Sequence, residues 1–361
     1  MPDSAPLRAL EFYSGIGGLH LALKRSNVNA TVVQAFDWDQ LACQVYLLNH
    51  GPNIVSKVDI STLTPESLAS FHADLWLLSP ACQPYTVLNP NAKGASDPRA
   101  QSFLHLVQEV LPRMKAAGRC PSYIFIENVA GFEASTTRSV LRSTLSSLDY
   151  RTLELLITPI QFHIPNSRLR YYLLAKRQPL RFENDPDGGK LWRCIPRRCD
   201  TVDEEASMHI YELRRYLDDQ IDEQQYRIPD RVLRKWGRLF DIVLPSERRT
   251  CCFTRGYTQL VERAGSILQM NEELDTTTVF EEFLIAQKAG DEGDDTVQIL
   301  HPLRLRYFTP TELLRLFDFE KPECETQFRW PAEMTLKTKY RMIGNSVNIR
   351  VVMELLNYMF R

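Results

Sequence analysis

None of the eight cysteines in this 361-residue chain forms a Cys-x-x-Cys pair, which removes the commonest ligand spacing of structural zinc sites and thioredoxin-like redox motifs. Net charge is nearly absent too, at a formal −2. No broad basic field therefore advertises nucleic acid, and such a partner must be met by a local patch. No apolar run approaches the roughly 20 residues that cross a bilayer. The opening MPDSAPLRAL lacks a signal-peptide pattern, and repeats and low-complexity tracts are missing. These absences lead to the expectation of a soluble protein of a reducing compartment, with no metal site and with free thiols. What is present, 44% hydrophobic and 24% charged residues, suffices for one large domain and a smaller one.

From residue 8 to about 178, short apolar runs alternate with helical stretches, the pattern of a doubly wound, mostly parallel α/β sheet. Strands are expected at Arg8–Phe12, Thr31–Phe36, Ile54–Val58, Leu75–Leu78 and Tyr123–Ile126. Arg151–Ile157 and Arg170–Ala175 follow without an intervening helix, which implies a closing antiparallel hairpin. After NDPDGG the alternation stops, with helical patterning at Tyr211–Gln225 and Asp230–Phe240. Residues 1–180 and 301–361 are expected to form one discontinuous domain and 181–300 a small inserted one. Thr309-Pro310 opens a helix, with threonine as N-cap and proline in the first turn. NSVNIRVVMELLNYMF is an amphipathic helix expected to pack back on the first domain.

Chemistry gathers at the expected strand ends. In LEFYSGIGGLHLAL a strand is followed by Gly15, Gly17 and Gly18, a tight turn that lets a ligand approach backbone N–H groups. It lacks the third, spaced glycine of the dinucleotide fingerprint and the Lys-Ser/Thr of a P-loop. Asp37 ends the second strand, where it can accept from ribose hydroxyls. Trp38 beside it can stack on an adenine or simply pack in the core. Asp59 ends the third strand, placed to accept from an exocyclic amine. In LLSPACQPYTVLNP, Pro80 ends a buried strand and Cys82 falls on the turn beyond it. On that stretch alone, a buried structural cysteine is the plainer reading. YIFIENVAGFE sets Glu127 after four apolar residues, where a dry carboxyl has a raised pKa; a capping or salt-bridged glutamate is the alternative. SRLR places Arg168 and Arg170 two apart, on one face of a strand start. A thiol, an acid and two arginines around an adenosyl pocket suit methylation at cytosine C5. That carbon attacks a methyl sulfonium only after a thiolate has added at C6.

FYSGIGG, PACQP, ENV, SRLR and IGNSV occur in the order and spacing of the cytosine-5 methyltransferases, which the chain resembles over essentially its whole length. CCFTRGYTQLVERAGSIL is similar to the signature of the branch that methylates cytosine 38 of tRNA-Asp. The resemblance implies a class I methyltransferase fold, with S-adenosylmethionine as cofactor and S-adenosylhomocysteine as product. It implies Cys82 as nucleophile, Glu127 at the target base, and Arg168 and Arg170 steadying that base. Phe12, Ser14, Gly15, Ile16, Gly17, Gly18, Asp37, Trp38, Asp59, Ile60, Pro80, Asn345, Ser346 and Val347 would line the cofactor site. Gln83, Lys93, Arg99, Cys252, Phe253, Thr254 and Arg255 would meet the substrate. The implied partner is tRNA-Asp, with little activity on duplex DNA, no membrane and a monomeric state. The location is cytoplasmic, with the nucleus left open. A DNA methyltransferase, or a silent cofactor- and RNA-binding protein, are the alternatives. Two departures stand out: Ala81 where the family has proline, and Arg263-Ala264-Gly265 where it has Gly-Thr-Gly.

Overall fold

The computed structural model describes residues 5–83, 85, 96–183, 189–196, 210–260, 262–288, 294–321 and 327–361. Its frame is a sheet of β1 (Leu7–Phe12), β2 (Ala30–Asp37), β3 (Val55–Lys57), β4 (Leu75–Leu78), β5 (Tyr123–Val129), β6 (Tyr150–Ile157), β7 (Arg170–Arg177) and β8 (Leu191–Trp192), in the order β3-β2-β1-β4-β5-β7-β6-β8. β1 to β5 run parallel. β7 lies antiparallel between β5 and β6, so the hairpin inserts its second strand into the sheet and leaves its first outside.

All four residues of β4 are buried, as both faces of a parallel sheet require. Alternation sorts the strand residues between two cores. Ala9, Leu75, Leu77 and Phe125 face a core shared with α1 (Gly18–Arg25), α2 (Gln40–His50) and the C-terminal helix Ile349–Met359. Leu10, Phe12, Trp76, Leu78 and Ile126 face the other, under α3 (Pro65–Ala69), α4 (Gln101–His105), α5 (Leu111–Ala116) and α6 (Thr136–Ser147). Between α4 and α5 the helix passes through a wide π turn, Leu106–Val110, just before Pro112, whose ring cannot join the regular ladder. The C-terminal helix returns to the first domain: Asn357 Oδ1 accepts from Asn27 N at 2.7 Å, and the rings of Phe360 and Tyr123 lie 4.4 Å apart.

The region after residue 180 contributes to two sheets. β8 pairs with β6 in the main sheet. A three-stranded sheet, β9 (Ile242–Val243), β10 (Ile267–Gln269) and β11 (Leu305–Arg306), takes its last strand from beyond residue 300. The continuous helix expected over Tyr211–Gln225 does not form. Only a 3-10 turn, Leu213–Tyr216, and a short helix, Glu223–Tyr226, appear, because the amides of Leu213 and Arg214 donate to Glu247 O and Pro245 O. Asp230–Trp236 is helical. Cys43, Cys82, Cys120, Cys251 and Cys252 are free. Cys194 is not; it is disulfide-bonded, to a partner outside the described residues. The free-thiol expectation came from the inferred compartment, which does not decide the pairing of one particular cysteine.

Thr309 caps the helix Pro310–Leu316 with a reciprocal capping box to Glu312. The carboxylate of Glu312, fully buried, also accepts from Arg306 Nη1 and Nη2, both at 2.8 Å, and from Asp218 N at 3.1 Å. Glu312→Ala strands the Arg306 charge in the interior. We expect it to lower unfolding free energy by about 3–5 kcal/mol in urea titrations; a loss under ~1 kcal/mol contradicts that account.

Candidate active site

Register brings the separated motifs to one rim. Phe36, Phe12, Leu78, Ile126 and Leu173 stand side by side across β2, β1, β4, β5 and β7. The next residues along the parallel strands, Asp37, Tyr13, Ser79 and Glu127, therefore share an edge. Strand order reverses between β1 and β4, which opens a crevice there.

The glycine turn lies in this crevice. Gly15 and Gly17 have φ of +52° and +86°, where side chains are strained. The space before Gly15 is open, whereas a Cβ on Gly18 would meet Val347 Cγ2 at 2.7 Å and Ser346 Oγ at 3.1 Å. The late GNSV segment thus closes on the turn, with Val347 buried and Asn345 exposed. Asp37 holds the turn from the other side: Oδ2 accepts from Gly15 N at 2.7 Å and Oδ1 from Asp39 N at 2.8 Å. Burial raises its carboxyl pKa, and these amides oppose the rise. Each oxygen keeps a second lone pair for a ligand. Trp38 is 73% exposed, so it is no core residue and its ring is free to stack. Phe12 and Ile60 are buried. Asp59 is exposed, its Oδ1 accepting from Ser61 N and Oγ. Ser14 Oγ is buried with no partner.

A polar cluster absent from the sequence reading supports this turn from below. Buried Glu11 accepts from Tyr46 Oη at 2.6 Å and from His20 N at 3.2 Å. The His20 and His50 rings stack at 4.2 Å, and His50 abuts Gly17. Burial pushes Glu11 up to about 8 and the histidines down, His20 to about 3 and His50 to about 4. The signal was a carboxylate between the apolar residues Leu10 and Phe12 of the strand LRALEF.

The thiol loop is fixed by backbone contacts. Ser79 Oγ donates to Tyr13 O at 3.0 Å, Asn128 Nδ2 to Pro80 O at 3.3 Å and Tyr85 N to Cys82 O at 3.0 Å. Asn128, the middle residue of ENV, thus holds the loop beside Ala81. Cys82 and Gln83 are half-buried. Burial pushes the Cys82 thiol up; Arg170 pulls it down, Glu127 pushes it further up, and Arg168 and Arg255 pull it down. Glu127 lies 3.6 Å from Arg170 Nε and is likewise raised by burial against the pull of Arg170 and Arg168. Both groups are biased towards their protonated forms, and the arginines lessen the cost of the anions.

The two arginines differ. Arg168 is buried and spent on backbone: Nη1 donates to Phe253 O at 2.8 Å, Nη2 to Gly344 O at 3.1 Å and Ser346 O at 2.5 Å. These bonds brace the site, while its Nε is buried with no hydrogen-bond partner. Arg170 is the one that reaches Glu127. Phe253, also expected to meet substrate, is wholly buried against Tyr257 and Phe308 at 5.1 and 5.3 Å. Thr254 N donates to Ala264 O at 2.9 Å, a backbone contact indifferent to the Ala264 side chain. Of the departing triplet, packing demands only Gly265, whose Cβ would lie 2.5 Å from both Phe253 and Tyr257. Arg255 is exposed, and the guanidinium of Arg99 is paired with Asp97 at 2.6 Å. Lys93 lies outside the described residues. Among the described residues, no cluster of metal-ligating side chains occurs and no helix is long and apolar enough to cross a membrane.

Residues 7–361 match the family described as C-5 cytosine-specific DNA methylase. The chain belongs to that family. A tRNA (cytosine(38)-C(5))-methyltransferase of Schizosaccharomyces pombe is 40% identical, over 99% of this chain and 98% of its own. A DNA (cytosine-5)-methyltransferase of Dictyostelium discoideum is 35% identical, over 97% and 93%. The crystal structure of S. pombe Dnmt2 methyltransferase superposes with a TM-score of 0.79, at 38% identity and 98% coverage of both chains. The fold is thus the class I methyltransferase fold, and the protein is an S-adenosylmethionine-dependent cytosine C5-methylase. The crevice suits that cofactor: an open face at Gly15, an orphaned buried hydroxyl on Ser14, a carboxylate on Asp37 and an exposed indole on Trp38.

Asp37→Ala removes both the ribose acceptor and the clasp on Gly15. We expect it to weaken S-adenosylhomocysteine binding by about 1.5–3 kcal/mol in calorimetry; unchanged affinity contradicts the placement. The Glu11 cluster predicts a pH effect. A carboxyl raised from 4.5 to about 8 in the fold gives stability that is full below 4.5 and is lost as pH rises through 8. Glu11→Gln lacks that loss. Its unfolding free energy relative to the parent should therefore rise between pH 5 and pH 8.5, and a gap independent of pH contradicts it.

Proposed function

We propose that this methylase acts on tRNA, converting cytosine 38 in the anticodon loop of tRNA-Asp through a covalent Cys82–cytosine adduct. The observation that carries the chemistry is the meeting of Cys82, Glu127 and Arg170 at the rim beside the glycine turn, with Glu127 3.6 Å from Arg170 Nε. The bound cofactor supplies an electrophilic methyl group. Cys82, as the thiolate, adds to C6 of cytosine while the raised Glu127 carboxyl donates at N3. C5 then carries the electron pair that takes the methyl group. Arg170 steadies Glu127 and the developing charge, while Arg168 holds the surrounding loops. After transfer, loss of the C5 proton and release of the thiolate restore the ring and the enzyme.

The RNA reading is supported by the name of the S. pombe relative and by energetics. Drawing a base from a duplex costs a few kcal/mol, whereas an anticodon-loop base is already unpaired or nearly so. With a net charge of −2, contact falls to local cations such as exposed Arg255. The name of the D. discoideum relative favours duplex DNA as the second reading. The gathered Cys82, Glu127 and Arg170 speak against a silent binding protein. We further propose a monomer, cytoplasmic with access to the nucleus.

Methyl transfer to tRNA-Asp and to duplex DNA, measured side by side, should show activity on the tRNA alone, lost in Cys82→Ala. RNA carrying 5-fluorocytosine at position 38 should trap an adduct that peptide mapping places on Cys82. Comparable turnover on DNA would overturn the substrate, and an adduct elsewhere the nucleophile.

A further inference from the structure

The sulfur of Cys252 sits between two cations, the buried Arg168 and the half-buried Arg170. Arg168 Nη1 lies 3.4 Å from Sγ and Arg170 Nη2 lies 3.5 Å from it. Arg170 faces the Glu127 carboxylate with Nε at 3.6 Å, so the two guanidinium groups have one carboxylate between them within ion-pair reach. That leaves one positive charge in excess, which is costly in a dry site, and the side chain that bonds to both arginines is the Cys252 thiol. Its neighbour Cys251 has another setting: Sγ lies 3.5 Å from Ser266 Oγ, whose hydroxyl donates to Asp241 at 2.5 Å.

We propose that Cys252 is a positioning residue of the methyl transfer: its sulfur is the anion shared by Arg168 and Arg170, and it sets how much arginine charge reaches Cys82. Burial works against that anion, but the two arginines outweigh it and hold Cys252 below the ordinary thiol range. Burial and Asp241 push Cys251 up to about 11, although Ser266 opposes them. Arg170 is the strongest influence pulling the Cys82 thiol down. An anion bonded to that same arginine weakens the pull. Cys252 then acts through Arg170 and touches no reacting atom, which replaces the substrate contact expected from the sequence.

The functional consequence rests on Cys82 being the nucleophile, but the test needs no RNA. Iodoacetamide labelling of the unaltered protein across pH, read by peptide mass spectrometry, should give a midpoint for Cys252 below that of an ordinary thiol and one for Cys251 above it. The reverse order overturns the proposal. In Cys252→Ser the arginine charge is released, so Cys82 should be labelled roughly threefold or more faster at pH 7, half a pKa unit being about threefold in thiolate. Cys251→Ser should leave that rate unchanged. An unchanged or slower rate in Cys252→Ser, or an equal rise in both variants from mere loosening, overturns the proposal. Failure of the nucleophile reading is seen separately, as a missing 5-fluorocytosine adduct on Cys82.

Discussion

One guanidinium joins three segments of this protein that lie far apart in sequence. Arg168, just ahead of β7, donates to the carbonyls of Phe253, Gly344 and Ser346, and its plane rests over Phe317 at 4.8 Å. The CCFT loop and the GNSV loop are therefore referenced to the strand that carries Arg170. Gly344 allows this: a Cβ there would fall 2.2 Å from the Thr254 carbonyl carbon. Only a residue without a side chain lets the two loops touch. With them in contact, Ser346 and Val347 close over the glycine turn.

The site is dry and crowded with charge. Cys82, Glu127 and Asp37 are all shifted towards their protonated forms by burial, and Arg170 is held cationic although burial opposes it, with Cys252 and Glu127 countering. Such a site holds its anions only as strongly as its cations permit. Electrostatics at the rim is thus a joint property of the thiols, the carboxylate and the arginines.

Much of this was legible beforehand because strand ends in a doubly wound sheet fall on one rim. Fully apolar runs such as LWLL announce parallel strands, and the residue after each run is then a site residue by topology alone. That logic put Asp37 and Glu127 at the rim without coordinates, whereas Cys82 lies four residues beyond LWLL and took its expected role from the family resemblance. It failed where tertiary contacts override local pattern. Period two placed Arg168 and Arg170 on one face, and both do reach Cys252, but which of them stays free for a ligand depends on carbonyls 85 to 178 residues away. Phe253 was assigned to substrate and lies in the core, since an aromatic within a signature reads alike in either place. Residues 211–225 carry helical spacing yet give their amides to Pro245 and Glu247. Glu11, Tyr46, His20 and His50 escaped notice because their polar atoms meet only once α1 and α2 pack on β1.

The return of the last helix to the first also governs how the chain is made. Asn27 waits for Asn357, 330 residues later, and α1 keeps its apolar side uncovered until Ile349–Met359 arrives. At about 5–20 residues per second of synthesis, that interval is roughly 20–70 s. During it the nascent sheet exposes one unfinished face, and the domain whose motifs emerge first is the last to close.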